Sequence, residues 1–141
     1  MMKKLNNSAI RELLERRHFA HIGCVLENGK PYVVPINYLY NGDSIYLHSL
    51  PGQKLDALRK NENACIQVEE IRSPYKWSSA IAFGEFEEVT DEERKGEMME
   101  RLLEHFYTLT PVEGMATDRV TIDRIAVFRI KIKELTGVCE Q

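Results

Sequence analysis

Few cysteines occur in this sequence, and their spacing limits the classes of protein to which it can belong. The 141 residues include three cysteines, Cys24, Cys65 and Cys139, and none of them belongs to a C-x-x-C pair. An odd number of widely separated cysteines suits neither a disulfide framework nor a zinc knuckle. We therefore expect a protein of the reducing cytoplasm.

Long apolar runs and a strong net charge are also absent. No stretch approaches the roughly 18 consecutive apolar residues of a transmembrane helix, and no apolar signal segment follows the lysines near the start. The 19 basic and 22 acidic side chains give a formal net charge of -3, which provides no general attraction for nucleic acid. We expect a single domain over residues 1–141 that binds no nucleic acid and enters no membrane.

Turn signals and alternating apolar residues predict a mainly β protein. Asn28-Gly29 is a strong hairpin signal, because both central residues of the turn need positive φ, and Asn41-Gly42-Asp43 predicts a second tight turn. Pro35 has no N–H to donate, so we expect it at an edge, a bulge or a strand end. Gly84 marks a bend or a close backbone approach. The predicted strands are residues 20–26, 32–40 and 44–49, which would form an antiparallel meander, and residues 64–68, 79–89 and 126–133.

Helices are predicted at three places between these strands. The first begins after an N-cap at Asn7 or Ser8, and the second spans residues 53–61. The third begins at a capping box with Thr90 as its N-cap, and residues 108–114 break it. About six strands with helices inserted between only some of them fit an antiparallel barrel with appended helices, not a doubly wound parallel sheet.

The segment Pro51-Gly52-Gln53-Lys54 places a lysine at the start of the second helix. A helix start already carries partial positive charge and unpaired N–H groups, so a cation there is unfavourable for the helix alone. With the strand end at His48 and Ser49, the turn and Lys54 form the parts of a phosphate site. An ordinary exposed lysine is an equally good interpretation of this stretch alone, because such charges cost only about 0.3–1 kcal/mol.

Other chemically active side chains give weaker signals. His18 and His21 straddle a helix-to-strand junction, where they would face opposite sides of the sheet, so a packed pair is favoured over a metal site. We expect His105 on the exposed face of the third helix and the cysteines to pack as small hydrophobes. Trp77, followed by two serines, fits either the wall of a site for a planar polar ring or a plug at the barrel bottom.

Four motifs occur in order along the chain. They are G-x-P-Y-V-V-P-x-N and I-Y-x-H-S in two early strands, G-x-K-L-x-x-L at the second helix, and F-G-E in a later strand. With these motifs the sequence resembles the FMN-binding split-barrel family related to pyridoxamine 5′-phosphate oxidase, and most closely its nitroimidazole-resistance branch. The resemblance extends over nearly the whole chain. It implies a six-stranded antiparallel split β-barrel of the Greek-key type with flanking helices.

The resemblance also implies a homodimer that holds FMN in a groove between its subunits. The isoalloxazine ring would be lined largely by backbone atoms. The matched positions are Val34, Pro35, Ile36 and Asn37 for the ring, His48 and Ser49 for the ring edge or ribityl chain, Gln53 and Lys54 for the phosphate, and Ser79 as a further polar contact.

The departures from the oxidase pattern bear on the substrate. Val33 and Tyr38 stand where the oxidase has an arginine and a lysine, so pyridoxamine phosphate is not the expected substrate. We expect an FMN-dependent oxidoreductase that passes electrons from a reduced small-molecule donor to a small acceptor, such as a nitroaromatic compound, with His48 as the candidate proton donor. Two alternatives stay open: a non-catalytic flavin carrier or sensor, and a split barrel that binds haem through His18, His21 or His48.

Overall fold

The computed structural model describes residues 1–107 and 124–141 of the chain. The predicted helix break at residues 108–114 lies outside this part. Within the described ranges, no helix is both long and apolar enough to span a membrane. The described elements are β1 (Met2–Lys4), α1 (Asn7–Arg16), β2 (Phe19–Val25), β3 (Pro31–Asn37), β4 (Leu39–Asn41), β5 (Ser44–Ser49), α2 (Gln53–Lys60), β6 (Asn63–Ser73), β7 (Lys76–Glu88), α3 (Glu92–Tyr107) and β8 (Ala126–Glu140).

The strands form one antiparallel sheet that is rolled into a half-open barrel. Their order is β3-β2-β6-β7-β8-β5-β4, and β1 pairs with β8 outside this path. β3 and β4 lie at opposite ends of the order, although only Tyr38 separates them in the chain. The two ends of the sheet must therefore come together in space. This confirms the predicted mainly β split barrel with flanking helices, with eight strands in place of the predicted six.

Both hairpins of the predicted meander form, but they do not share one continuous middle strand. β3 pairs with β2, whereas β5 pairs with β4 and β8. The strand predicted over residues 32–40 is interrupted at Tyr38, whose side chain is 1% exposed and whose hydroxyl donates to the carbonyl oxygen of Leu14 at 2.7 Å. Because this ring belongs to the core, the chain changes direction there, and β3 and β4 take opposite edges of the sheet.

Two predictions about special residues are confirmed. Pro35 lies on β3, an edge strand, where a residue without an N–H is tolerated. The pairing register of β7 with β8 shifts between Phe83 and Gly84, and Gly84 packs directly against the backbone of Lys131. The bend and the close approach therefore occur at the same residue.

The starts of α1 and α3 each differ from prediction. The N-cap of α1 is Asn6 instead of Asn7 or Ser8, and its side-chain oxygen accepts a hydrogen bond at 2.8 Å from the N–H three residues later. At α3 the Asp91 carboxylate, instead of the Thr90 hydroxyl, accepts the equivalent bond at 3.0 Å. Both residues carry the short acceptor that an N-cap needs, and such a cap stabilises a helix by about 0.5–2 kcal/mol.

The core is divided into two apolar clusters. The larger lies inside the barrel and contains Ile22, Ile66 and Phe128, each 0% exposed. The smaller includes Leu102 of α3 and Val127 of β8. Adjacent residues of a strand point to opposite faces, so β8 contributes to both clusters because α3 covers its outer face.

Candidate functional site

A cleft of about 310 Å³ lies between the ends of β3 and β5 and the start of α2. Because β3 and β5 are not neighbours in the sheet, the cleft occupies the opening of the rolled barrel. It brings together five of the nine residues predicted for the site. The lining residues are Phe19, Pro35, Ile36, Asn37, His48 and Lys54.

β3 forms one wall of the cleft. Val34 and Ile36 pack against the core, while Pro35 is exposed on the other face, as the alternation of a strand requires. Among the described strands, β3 pairs with β2 and lies at the edge of the sheet, where backbone groups on the outer side take no part in the pairing of these strands. The wall is therefore anchored by side chains and presents N–H and C=O groups outward.

The end of β5 supplies the histidine of the cleft. His48 lies opposite Val127 of β8, and Ser49 lies opposite Ala126, so pairing with β8 fixes the direction of this strand end. The hydroxyl of Ser49 donates to the carbonyl oxygen of Leu50 at 2.8 Å. Ser49 follows the cleft in the chain, whereas His48 lines it.

The start of α2 has the features of an anion site. Its N-cap, Gly52, is extended and makes no side-chain capping hydrogen bond, so the helix start presents the partial positive charge of its first N–H groups. Lys54, the second helical residue, adds positive charge on the side of the cleft. Burial raises the pKa of the Cys24 thiol, and the charge of Lys54 acts in the opposite direction. The helix dipole, the amides and the ammonium group thus favour a negative ligand together.

Comparison with known proteins agrees with the ordered motifs. The model of the family described as pyridoxamine 5′-phosphate oxidase matches residues 6–138 of the chain. This chain belongs to the pyridoxamine 5′-phosphate oxidase family. The match confirms the resemblance inferred from the sequence.

Solved structures share the fold of this oxidase-family chain. An FAD-binding protein from Mesorhizobium loti is 25% identical with a TM-score of 0.81, over 100% of this chain and 99% of that chain. A candidate 5-nitroimidazole antibiotic resistance protein from Bacteroides thetaiotaomicron is 25% identical with a TM-score of 0.75, over 99% and 89% of the two chains.

An uncharacterized protein of Rhizobium meliloti (strain 1021) is 36% identical over 70 residues. That match covers 50% of this chain and 46% of the curated relative.

Three further residues predicted for the site lie away from the cleft of this oxidase-family member. Val34 packs against the core. Gln53 lines a second cavity on another side of α2. The hydroxyl of Ser79 accepts a hydrogen bond from the amide of Gln67 at 3.1 Å and lines a cavity beside β8. Of these three, Val34 and Gln53 belong to elements that border the cleft, whereas Ser79 does not.

The other histidines of the described part are held elsewhere. The rings of His18 and His105 lie 5.7 Å apart between centroids, and burial, followed by the charge of His18, lowers the pKa of His105. His105 is therefore half-buried and not on the exposed face that the sequence predicts, because α3 packs it beside His18. His21 lies 3.3 Å from the side-chain oxygen of Gln67. Among the described residues, no group of three or more His, Cys, Asp or Glu could hold a metal ion.

Two aromatic residues differ from the predicted site. Trp77 lines a cavity of about 210 Å³ with Arg16 and Glu70, so it does not form a wall of the cleft. Phe19 was not predicted, yet it lines the cleft and is 56% exposed. The predicted hairpin turn pairs β2 with β3, and this pairing places Phe19 opposite Asn37. Phe19 could have been found from the sequence in this way.

Proposed function

We propose that the cleft binds a flavin, with the FMN unit as the part it holds, and that the protein is an oxidoreductase that passes electrons from a reduced donor to a small acceptor. The observation that carries this proposal is the meeting, in one cleft, of the lysine-bearing start of α2 with β3, the strand at the edge of the sheet among the described strands. FMN has a phosphate at one end and a planar polar ring at the other. The two sides of the cleft match these two chemistries.

The phosphate side is the start of α2. A phosphate at this position accepts hydrogen bonds from amides that no side chain caps, and it is favoured by the helix dipole. Lys54 lines the cleft with these amides, whereas Asp56 of the same turn lines the other cavity. The cation therefore faces the proposed phosphate and the carboxylate does not.

The ring side is the edge of β3 with Phe19. A ligand of this kind needs apolar cover on its faces and a few aimed hydrogen bonds at its rim. Pro35 and Phe19 supply apolar surface, and Asn37 and the backbone of the edge strand β3 supply polar groups. The volume of about 310 Å³ is at the low end of the range of about 300–1,000 Å³ for ligand sites. This size suits a site that a second copy of the chain completes.

The comparisons support a flavin, and the residues at two positions argue against pyridoxamine phosphate as the substrate. The Mesorhizobium relative, an FAD-binding protein, resembles this chain over its full length. The oxidase cations are replaced here by Val33 and Tyr38, and Tyr38 is buried in the core, so that position offers no charge to a substrate phosphate. A nitroaromatic compound is the first acceptor to test, because the Bacteroides relative is a candidate nitroimidazole resistance protein.

In the proposed reaction, a bound flavin supplies the electron transfer. The protein binds and orients the ring through β3 and holds the phosphate at α2. His48 is the histidine that lines the cleft, and histidine is the side chain best suited to exchange a proton near neutral pH. We assign it the role of a proton donor to the bound acceptor.

Replacement of Lys54 with alanine should weaken FMN more than riboflavin, which has no phosphate. Loss of a charge-assisted hydrogen bond costs about 1.5–3 kcal/mol, so the Kd for FMN should rise by about tenfold to a hundredfold. Riboflavin should change by less than about twofold. Fluorescence titration of both ligands against the wild type and Lys54→Ala measures the difference.

The matched control is Lys60→Ala, which removes a cation from the same helix. Lys60 pairs with Glu27 at 2.8 Å at the other end of α2 and does not line the cleft. It should leave the Kd of both ligands unchanged. Equal losses of FMN and riboflavin affinity in Lys54→Ala would show that the lysine does not contact the phosphate.

We also propose that the protein is a homodimer whose flavin site lies at the subunit interface. The outer sheet face carries three exposed apolar side chains, Phe19, Val33 and Phe83, which are 56%, 63% and 40% exposed. The pairing register places all three on the same face of the sheet, and Phe19 also lines the cleft. A second copy on this face would cover apolar surface and border the site.

Dilution should therefore release flavin together with dissociation of the dimer. Val33→Glu should produce a monomer with little bound flavin, whereas Tyr75→Glu, in the turn between β6 and β7, should not. Analytical ultracentrifugation recorded at protein and flavin wavelengths follows both species. A monomer that retains its flavin would exclude a shared site.

A further inference from the structure

We propose that the groove along α2 is a second nucleotide subsite, which takes the adenosine end of a flavin adenine dinucleotide. The groove has a volume of about 690 Å³ and lies between α2 and the turn that joins β2 to β3. Its polar lining residues are Glu27, Asn28, Gln53, Asp56 and Lys60. The proposal rests on the proposed function, because the groove would receive the part of the cofactor that extends beyond the phosphate held at α2.

The cleft and the α2 groove share the first turn of one helix. Lys54 lines the cleft, whereas its neighbour Gln53 lines the groove, since successive helical residues are turned by about 100°. Gly52, the residue before both, also lines the groove, and a Cβ there would meet only the carbonyl oxygen of Leu50, at 4.0 Å. The backbone at the start of α2 is therefore uncrowded where a phosphate chain would pass from the cleft to the groove.

The α2 groove runs along the whole helix. Gln53, Asp56, Ala57 and Lys60 all line it, and this spacing places them on one helical face. The rise from the first to the last is about 10 Å. At the far end, the Lys60 ammonium lies 2.8 Å from the Glu27 carboxylate, so an ion pair between α2 and the hairpin turn closes the groove.

The chemistry of the groove matches an adenosine. Leu26 and the buried Ala57 give an apolar floor on which a base can lie. The exposed Asp56 beside this floor can accept hydrogen bonds from ribose hydroxyls, since ionised carboxylates are acceptors only. FAD needs no more positive charge at this site than FMN does, because its pyrophosphate diester carries about the same two negative charges as the phosphate monoester of FMN.

The test compares FMN and FAD on the same protein. The wild type should bind FAD at least about tenfold more tightly than FMN. Asp56→Phe, which fills the middle of the groove, should reduce this ratio to about one without a change in the Kd for FMN. Arg59→Phe places the same ring on the same helix outside the groove, where Arg59 pairs with Glu88 at 2.8 Å, and it should leave the ratio unchanged.

NAD⁺ binding to the wild-type protein tests whether the groove receives the adenosine of the flavin or that of a separate dinucleotide. If the flavin's own adenosine fills the groove, FAD binds more tightly than FMN, and NAD⁺ binds FAD-loaded protein no more tightly than FMN-loaded protein. NAD⁺ that binds FMN-loaded and FAD-loaded protein equally well, with equal affinities for FMN and FAD, would assign the groove to a separate dinucleotide and overturn the proposal. A ratio that Asp56→Phe does not change would overturn it too. Failure of riboflavin, FMN and FAD alike would instead reject the proposed function, and the subsite with it.

Discussion

Replacement of Gly84 with alanine is expected to lower the free energy of unfolding by about 1–3 kcal/mol or more, although it adds only one methyl group. Gly84 is buried where the register of β7 against β8 shifts. A Cβ at this position would collide with the carbonyl oxygen of Lys131 and lie 2.8 Å from Cγ2 of Ile130. The first obstacle is backbone inside a sheet, which cannot turn aside as a flexible side chain would. The strands must therefore separate locally or the bulge must move.

The matched control is the same substitution at Gly96, for which the opposite sign is expected. Gly96 is exposed in α3, and a Cβ there meets nothing within 4 Å. Alanine in a helix interior is favoured over glycine by about 1 kcal/mol, so Gly96→Ala should stabilise the protein. Urea unfolding of both variants gives the two free energies. Equal shifts of one sign would show that the close contact at Gly84 is not what decides its effect.

The features that could be predicted from the sequence are those decided by neighbours in the chain. The Asn28-Gly29 turn, the placement of Pro35 at an edge and the bend at Gly84 follow from the φ, N–H and Cβ requirements of single residues. The two hairpins could be predicted in this way, but the pairing of strands that are distant in the chain could not. Whether β5 lies beside β3 or beside β8 depends on contacts between distant segments, and the interruption at Tyr38 is visible only once its ring is known to belong to the core.

The candidate site shows the same difference between features that the sequence could predict and features that it could not. The ordered motifs identified the end of β3, His48 and Lys54, which the fold brings to one cleft. They do not fix the rotation of a helix about its axis, so they assign Gln53 and Lys54 to one phosphate although Gln53 lines the other cavity. The resemblance predicts Ser79 at the flavin, whereas its hydroxyl accepts a hydrogen bond from Gln67. The sequence motifs indicate which helices and strands border the site, but they do not give the direction in which each side chain points.

The largest loss of stability is expected for Tyr38→Ala, at about 3–5 kcal/mol. Tyr38 is 1% exposed and belongs to the larger core cluster, so its removal leaves a cavity at the point where the chain passes from β3 to β4. Its hydroxyl also donates to the carbonyl oxygen of Leu14 in the last turn of α1, where carbonyl groups lack helical partners. One side chain therefore holds together the two ends of the sheet and the end of a helix.

Tyr38→Phe separates the two contributions, because it retains the ring and removes only the hydroxyl. It leaves the Leu14 carbonyl without its donor and should cost about 1–3 kcal/mol. Burial raises the pKa of Tyr38, so the phenol stays protonated, and the hydrogen bond persists, well into the alkaline range. Because the folded pKa lies above the unfolded one, this contribution is complete below the unfolded pKa and is lost as the pH rises through the folded value. Urea unfolding of both variants at neutral pH measures the two losses, and a loss in Tyr38→Phe as large as in Tyr38→Ala would show that the hydrogen bond, not the packing of the ring, joins the ends of the barrel.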